Sequence, residues 1–282
     1  MKYIRMNKYN SFIINNLISV INLTNYLIDT FPMLPDNIIE IYLDNNDIQT
    51  ITCPLPSNLR ILSVCSNLIT ELLYIPPTLK ELYITNNKNI VLPPKITTEL
   101  TIFHCNECNL LHLPELPDTL QALNVSNNKV TTINIPINIK ILNIVNNHIS
   151  VLNITKLHIY LTELRCDNNS IKHIQYLPDS ISEFHCSNNL LRTLPNFPNN
   201  LQNIYGLKIV PKSVQYPYNL KILFTYWNNP FVYNFTNISD IGLYINKINS
   251  FRKMFYTHKI KKALYKYVQT RRRNIEDDYE FL

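Results

Sequence analysis

Residues 120–152 contain the feature that most constrains the fold, an apolar pattern that occurs twice in succession. Both copies follow the spacing L-x-x-L-x-L-x-x-N-x-L, with Asn128 in the first copy and Asn147 in the second. A unit of about 20 residues is too short to bury its own apolar side chains, so such units must stack and share one continuous core. The period therefore predicts an elongated array of coils, each in contact only with its neighbours.

The same frame extends over most of the chain. Ten repeats open with an apolar residue at intervals of 19 to 22 residues, at Ile38, Leu59, Leu79, Leu100, Leu120, Ile139, Leu161, Ile181, Leu201 and Leu220. Asparagine occupies the ninth position in eight of them, at Asn46, Asn67, Asn87, Asn128, Asn147, Asn169, Asn189 and Asn228. Cys108 and Ile209 take this position in the other two. An eroded repeat precedes the array, with Tyr26 at the asparagine position.

Each repeat predicts one short strand followed by a bend. The L-x-L piece has the alternation of a strand, and successive strands of such an array form a parallel sheet. The asparagine side chain turns inward after the strand, where a buried amide needs partners for both its donor and its acceptor groups. Neighbouring coils can supply them, so we interpret the asparagine column as structural rather than as a ligand site.

Proline-bearing motifs lie between the predicted strands. The fullest copies are F-P-M-L-P-D-N-I at 31–38, L-P-E-L-P-D-T-L at 113–120 and L-P-N-F-P-N-N-L at 194–201. Repeat and motifs together resemble the short, proline-bearing subtype of leucine-rich repeat proteins, which is familiar from bacterial effectors that enter host cells and is similar to arrays in large DNA viruses. The resemblance implies an α/β-type solenoid, a horseshoe with short parallel strands on its concave face and an extended, proline-rich convex side. It also implies protein recognition.

The resemblance covers residues 18–232, the predicted solenoid. The flanking segments predict an N-terminal cap over 1–17 and a basic helical cap with an acidic tail over 233–282. No small-residue cleavage site follows the apolar run near the N terminus, so we predict no signal peptide and no transmembrane span. The cysteine-rich caps of extracellular relatives are missing, which favours an intracellular location, in the cytoplasm or in a host-cell cytoplasm. The bias toward Asn, Ile, Lys and Tyr favours an AT-rich microbe or a large virus as the source.

Strand alternation predicts which side chains leave the core. The third, fifth and seventh positions of each repeat point to the concave face. On this face an apolar middle zone leads into a charged and then an aromatic zone. Such a combination favours protein binding, although an ordinary solvated sheet face could also show it. We predict the partner-binding residues to be Glu163, Arg165, Asp167, Glu183, His185, Tyr205, Phe224 and Tyr226.

Residues 104–112, H-C-N-E-C-N-L-L-H, contain the residue types of a zinc site. The repeat frame argues against one, because it directs Cys105 inward, His104 to the concave face and His112 to the opposite side. The acids and the histidine of the charged zone also suggest acid–base chemistry, but an open sheet does not exclude water and no nucleophile lies beside the histidine. We therefore predict no metal, no cofactor, no small-molecule substrate and no enzymatic activity.

Charge separates the C-terminal part from the rest of the chain. Residues 247–273 contain ten basic residues and no acidic one, whereas residues 1–246 contain 16 of each. The segment predicts an amphipathic helix with basic residues that include Lys259, Lys261, Lys262, Lys266, Arg271, Arg272 and Arg273. Such a helix could cap the solenoid, or it could attach to an anionic surface such as nucleic acid or a membrane. Our main hypothesis is recognition of a protein partner of unknown identity through the concave face, and anionic-surface attachment is the alternative.

Overall fold

In the computed structural model, the strands of the repeats form one parallel sheet. The structure describes residues 19–96, 98–207, 217, 220 and 222–225, of which 207 and 222–225 are described by their backbone alone. Eleven strands in this part of the chain pair side by side in chain order. They are β1 (Val20–Asn22), β2 (Glu40–Tyr42), β3 (Ile61–Ser63), β4 (Glu81–Tyr83), β5 (Ile102–His104), β6 (Ala122–Asn124), β7 (Ile141–Asn143), β8 (Glu163–Arg165), β9 (Glu183–His185), β10 (Asn203–Leu207) and β11 (Ile222–Thr225). This confirms the predicted parallel-strand solenoid, whereas the predicted N-terminal and C-terminal caps lie outside the described residues.

The strand register follows the predicted frame. From β2 to β9 each strand covers the third to fifth positions of its repeat, and each residue pairs with its counterpart one repeat later, as Glu40 does with Ile61. The pairing of β10 with β11 shifts after Tyr205. The shift lies at Gly206, which has a φ of 86° and whose backbone approaches Ser187 too closely for a Cβ. Equivalent positions of successive repeats therefore stack in columns along the sheet.

The core is one continuous cluster of apolar side chains that runs from the first strand to the last described coil. The central residue of every strand from β2 to β9 is buried, and most of its strand neighbours are half-exposed. In the repeat that opens at Leu59, the first, sixth and eleventh positions are also fully buried. Each buried aliphatic side chain contributes roughly 1.5–3 kcal/mol, so the shared core is the main source of stability.

A buried asparagine joins each coil to the one before it. Asn147 Nδ2 donates to the carbonyl of Ile144 in its own coil at 3.2 Å and to that of Val125 in the preceding coil at 2.9 Å. Its Oδ1 accepts the N–H of Val130 at 3.0 Å. The same pattern recurs at Asn46, Asn67, Asn87, Asn128, Asn169 and Asn189. Each amide thus pairs backbone groups that would otherwise be buried without a partner. Asn228 lies outside the described residues.

Where Cys108 replaces asparagine, only the donor half of this bonding remains. The thiol donates to the carbonyl of Ile84 at 3.2 Å, but it has no oxygen that could accept from the preceding coil. That coil bends differently, with Asn89 at a φ of 67° and the N–H of Ile90 bonded to the carbonyl of Asn87 at 3.4 Å. The substitution is therefore accommodated by a local change in one bend.

The residue before the ninth position has a left-handed backbone in every repeat from β2 to β9. Its φ lies between 51° and 59°. Asparagine fills six of these eight positions, and Ser66 and Glu107 fill the other two. Asparagine tolerates this conformation better than most residues because its short side chain can bond locally. A chain with only 2 glycines can therefore make a left-handed bend in each repeat.

Proline precedes the turn into most strands. In eight repeats its carbonyl accepts the N–H of the opening residue three positions later at 3.0–3.2 Å, as between Pro56 and Leu59. The fixed φ of proline restricts the entry to this turn. His158 takes the place of proline before Leu161 and is buried, with Nδ1 accepting the N–H of Thr155 at 3.0 Å. No helix occurs between the strands of the described chain, which agrees with the predicted extended convex side.

Replacement of Asn147 by alanine tests the inter-coil hydrogen bonds. The free energy of unfolding should fall by about 1–3 kcal/mol, because three buried backbone groups lose their partner. Urea unfolding followed by circular dichroism measures the change. Asn153→Ala alters an exposed asparagine of the same repeat and should change the stability by less than about 0.5 kcal/mol. Equal stability of the two variants would contradict a structural role for the column.

Replacement of Glu107 tests the left-handed column. Glu107→Asn should raise the free energy of unfolding by about 1 kcal/mol, because asparagine tolerates the positive φ better than glutamate. The reciprocal change Asn127→Glu, one repeat later, should lower the stability by a similar amount. The same urea titrations measure both variants, and a loss of stability in Glu107→Asn would show that φ does not limit this position.

Candidate functional site

The outward side chains of the strands form one face of the sheet. These are the third, fifth and seventh positions of each repeat, opposite the buried fourth and sixth positions, and we refer to this surface as the concave face. The register is unbroken from β2 to β9, so each position forms a column. Neighbouring members of a column are separated by one strand spacing of about 4.8 Å. Side chains roughly 20 residues apart in sequence are therefore direct neighbours.

Around β8 and β9 the structure brings together five of the predicted binding residues, which we call the arginine patch. Four lie on the two strands and Asp167 follows β8: Glu163, Arg165, Asp167, Glu183 and His185. Glu163 pairs with Glu183, and Arg165 with His185, in the strand register. Arg165 Nε forms an ion pair with Glu163 Oε1. The contact does not meet hydrogen-bond geometry, so the Nε–H has no hydrogen-bond acceptor in the described chain. Arg165 Nη2 lies 3.6 Å from Glu183 Oε1. The guanidinium is thus held between two carboxylates of adjacent strands.

The imidazole of His185 is fixed on three sides. Its Nε2 lies 2.6 Å from Glu183 Oε1, and its Nδ1 lies 3.9 Å from Asp167 Oδ2. The ring stacks on Tyr205 with a centroid distance of 4.1 Å and an angle of 14° between the planes. Asp167 in turn accepts the N–H of Ser187 at 2.6 Å. Glu183 therefore links the histidine to the arginine, and Tyr205 extends the patch onto β10.

The ion pairs of the arginine patch are partly exposed, which limits their contribution to stability. The Arg165 side chain is 43% exposed. Exposed pairs contribute about 0–1 kcal/mol to folding. The arrangement therefore does little to hold the fold, but it keeps an accessible guanidinium in a defined position.

The apolar middle zone of the concave face lies on the strands that precede the arginine patch. Ile102 and Ala122 are half-exposed, and Ile141 is 42% exposed. These three residues are consecutive members of the third-position column, because β5, β6 and β7 pair without a shift. Val145 is half-exposed at the seventh position. The zone is a narrow apolar strip beside the charged patch.

A second polar cluster on the concave face was not predicted from the sequence. It comprises Glu40, Tyr42, Asp44, Glu81 and Tyr83, and we call it the tyrosine–carboxylate patch. The hydroxyl of Tyr42 donates to Glu40 Oε2 at 3.0 Å, and that of Tyr83 donates to Glu81 Oε2 at 2.8 Å. Burial and the nearby carboxylates raise the pKa of both tyrosines. The repeated E-x-Y spacing on β2 and β4 was the signal that could have identified this patch.

Comparison with known proteins shows a structural likeness to bacterial repeat proteins. No family model and no curated protein sequence matches the chain. The structure of YopM from Yersinia enterocolitica is similar, with a TM-score of 0.67 and 28% identity over 74% of this chain and 46% of that one. A YopM described as a leucine-rich effector protein of Yersinia pestis has a TM-score of 0.56 and 23% identity over 73% of this chain and 59% of that one. A leucine-rich repeat protein of Leptospira interrogans has a TM-score of 0.52 and 21% identity over 73% and 65%.

The chain is a leucine-rich repeat solenoid whose repeats resemble those of bacterial effectors. The second and third similarities show the fold alone. The chain spans less than two thirds of the length of each of these three structures.

Other predicted functional residues of the leucine-rich repeat solenoid fall outside the described side chains. Phe224 pairs with Tyr205 through its backbone in β11, and nothing more of it is described. Tyr226 and the basic residues from Lys259 to Arg273 lie outside the described residues. In the part of the chain that the structure does describe, no helix is long and apolar enough to cross a bilayer.

The cysteine and histidine residues of 104–112 point in different directions. Cys105 and Cys108 are fully buried in the solenoid core. His104 lies on the concave face with its ring edge-on to Tyr83 at 5.0 Å, and His112 is exposed. Among the described residues, no group of three or more metal-ligating side chains is arranged to hold an ion. Burial raises the pKa of the Cys108 thiol to about 11, so it is protonated at neutral pH.

Thiol titration tests this view of the cysteines. All six cysteines are free; Cys53 and Cys65 are half-buried and the other four are buried. The thiolate is the reactive form, and burial raises the pKa of Cys53 and Cys65 above that of a free thiol. A disulfide reagent at pH 7 should therefore modify at most these two cysteines in the native protein, slowly, and all six in urea. Raising the pH toward 9 should speed the native reaction. Rapid native modification of four or more thiols would contradict the packing.

Proposed function

We propose that the solenoid is a non-enzymatic protein-recognition module that binds its partner through the arginine patch and Tyr205. The observation that carries this proposal is the guanidinium of Arg165, which is accessible and yet held between Glu163 and Glu183. Arginine and tyrosine are the residue types enriched at the energetic centres of protein interfaces. The likeness of the fold to an effector repeat protein supports the same function.

The arginine patch is preorganised for binding. Arg165 and His185 stand on adjacent strands above the buried Leu164 and Phe184. Their side chains are already restrained by carboxylates and by the Tyr205 ring. Ordering a side chain at an interface costs about 0.5–1.5 kcal/mol. Here the side chains are already restrained in the folded protein, so much of that cost is not incurred on binding. A partner with complementary polar groups could therefore bind without rearrangement of the patch.

The same geometry argues against catalysis at this site. His185 Nε2 faces Glu183 rather than a hydroxyl or thiol nucleophile. Cys166 and Cys186 belong to the core side of the sheet, where burial raises the pKa of both thiols well above the ordinary value. The patch lies on an open sheet face, which does not exclude water from a reaction. The arrangement is suited to binding another surface.

Attachment to an anionic surface through the basic residues of 247–273 is the second candidate. The observation that favours it is the run of ten basic residues without an acid. The concave face could not serve this purpose, because its charged residues in the described strands are mostly carboxylates. Nucleic acid or an anionic membrane would therefore have to contact the C-terminal part of the chain. The solenoid could still bind a protein partner at the same time.

Substitution of Arg165 and Tyr205 tests the protein-recognition proposal. The partner is first isolated by affinity capture from the native host cell, and its affinity for purified variants is then measured by calorimetry. Arg165→Ala and Tyr205→Ala should each weaken binding by about 1–3 kcal/mol. Circular dichroism should show an unchanged fold, because both side chains lie outside the core.

Two further variants provide the controls for this measurement. Glu115→Ala removes a carboxylate outside the concave face, where it pairs with Lys95, and should leave the affinity unchanged. Deletion of residues 239–282 removes the basic segment. If both concave-face variants bind as well as the wild type while the deletion abolishes binding, the basic segment is the functional element and the proposal is wrong.

A further inference from the structure

Two stretches of the concave face share one sequence motif and one backbone arrangement. Residues 40–44 read E-I-Y-L-D, and residues 163–167 read E-L-R-C-D. Asp44 Oδ1 accepts the N–H of Cys65 at 2.6 Å, and Asp167 Oδ1 accepts the N–H of Ser187 at 2.6 Å. In both cases the acceptor and the donor occupy the seventh positions of successive repeats. The two glutamate–aspartate frames are therefore structurally equivalent.

The two patches differ in the residue at the centre of the frame. In the arginine patch the chain supplies its own cation, because Arg165 stands between Glu163 and Glu183. In the tyrosine–carboxylate patch Tyr42 occupies the equivalent position. None of the ion pairs formed within the described chain includes Glu40, Asp44 or Glu81. The tyrosine–carboxylate patch thus has counterparts of Glu163 and Asp167 but no cation of the described chain. Ile61 takes the place of Glu183, and the further carboxylate, Glu81, stands on the next strand.

The carboxylates of the tyrosine–carboxylate patch keep acceptor capacity for a ligand. Glu40 and Glu81 each use Oε2 to accept a tyrosine hydroxyl, and Asp44 uses Oδ1 for Ser63 and Cys65. The second oxygen of each group makes no hydrogen bond within the described chain. The pKa of Tyr42 is raised by burial first and then by the carboxylates of Glu40, Glu81 and Asp44. The three negative charges therefore act on the same region.

We propose that the tyrosine–carboxylate patch binds an arginine side chain of the protein partner. This inference rests on the proposed recognition function and specifies the chemistry of the partner. A guanidinium stacks on aromatic rings and presents several donors in one plane, so it can lie against Tyr42 or Tyr83 while it bonds to carboxylates on either side. Within the same protein, Arg165 already lies between carboxylates of two adjacent strands.

Charge over the whole face favours a basic partner segment. In the described strands and the seventh positions that follow them, the concave face carries the acids Glu40, Asp44, Glu81, Glu163, Asp167 and Glu183, and a single arginine, Arg165. An acidic segment would meet repulsion along this face, whereas an arginine-bearing one would meet complementary charge. A bare metal ion fits less well, because Glu40 and Glu81 stand two strands apart, at a backbone separation of roughly 10 Å.

The test uses the full chain and a defined probe. The probe is a fluorescein-labelled peptide of glycine, serine and four arginines, and the matched control peptide carries citrulline, a neutral isostere, at the same four positions. Fluorescence anisotropy should show at least about tenfold tighter binding of the arginine peptide, and the difference should shrink as salt is raised. The double variant Glu40→Gln/Glu81→Gln should weaken binding of the arginine peptide about tenfold and leave the citrulline peptide unaffected.

A variant of equal charge change controls for long-range electrostatics. Asp47→Asn/Glu71→Gln removes two exposed carboxylates outside the strands and should change the affinity less than about twofold. If both double variants lose affinity for the arginine peptide equally, the effect comes from net charge alone, and the proposal is wrong. Absence of binding to the wild type would also overturn it. If binding appears only in Arg271→Gln/Arg272→Gln/Arg273→Gln, the chain's own basic segment occupies the patch, and the assignment to a partner is wrong.

Failure of this inference can be separated from failure of the proposed function. With the captured partner, loss of affinity in Arg165→Ala but not in Glu40→Gln/Glu81→Gln would overturn the arginine subsite alone. Loss in Glu40→Gln/Glu81→Gln but not in Arg165→Ala or Tyr205→Ala would instead overturn the assignment of binding to the arginine patch.

Discussion

The buried asparagine amide at the ninth position is the interaction on which the rest of the solenoid depends. Asn46 shows the full set of bonds: its Nδ2 donates to carbonyls of its own coil and of the preceding coil, and its Oδ1 accepts two N–H groups of the preceding coil. An amide that bonds to both coils fixes their relative rise. With the rise fixed, successive strands pair without a shift, and the side chains of equivalent positions form columns. The arginine patch exists only because these columns hold residues of β8 and β9 beside one another.

The bends and the buried core determine the backbone geometry of each repeat, so the residues on the concave face can differ between repeats. The left-handed residue before the ninth position and the proline turn before the next strand recur with little change. Each repeat closes through these backbone features and through buried aliphatic side chains, so the third, fifth and seventh positions contribute little to closure. Arg165 or Tyr42 can therefore stand at the fifth position of equivalent strands without altering the backbone. Chemical differences between repeats on this face are consequently not required for the fold.

The charged residues of the concave face are mostly carboxylates. Residues 1–246 contain equal numbers of acidic and basic residues, but the outward columns of the described strands carry mainly carboxylates. Glu163 and Glu183 enclose Arg165, whereas the carboxylates around Tyr42 form no ion pair with a cation of the described chain. The pair of frames links a preorganised arginine, suited to a polar or acidic group of a partner, with a carboxylate cluster suited to a guanidinium. A partner that contacts both would span the face from β2 to β9.

By itself, the sequence determined the parallel sheet, the strand positions, the inward cysteines and the concave columns. It could do so because a period near 20 residues admits one way of sharing a core, and because strand alternation then assigns each position to a side. Only the tertiary structure decided that Arg165 lies between Glu163 and Glu183, that His185 stacks on Tyr205, and that carboxylates of both β2 and β4 raise the pKa of Tyr42. Several of these contacts join residues about 20 or 40 positions apart. They depend on side-chain rotamers that the repeat leaves open, since the period fixes where each Cβ stands but not where the charged end of the side chain lies.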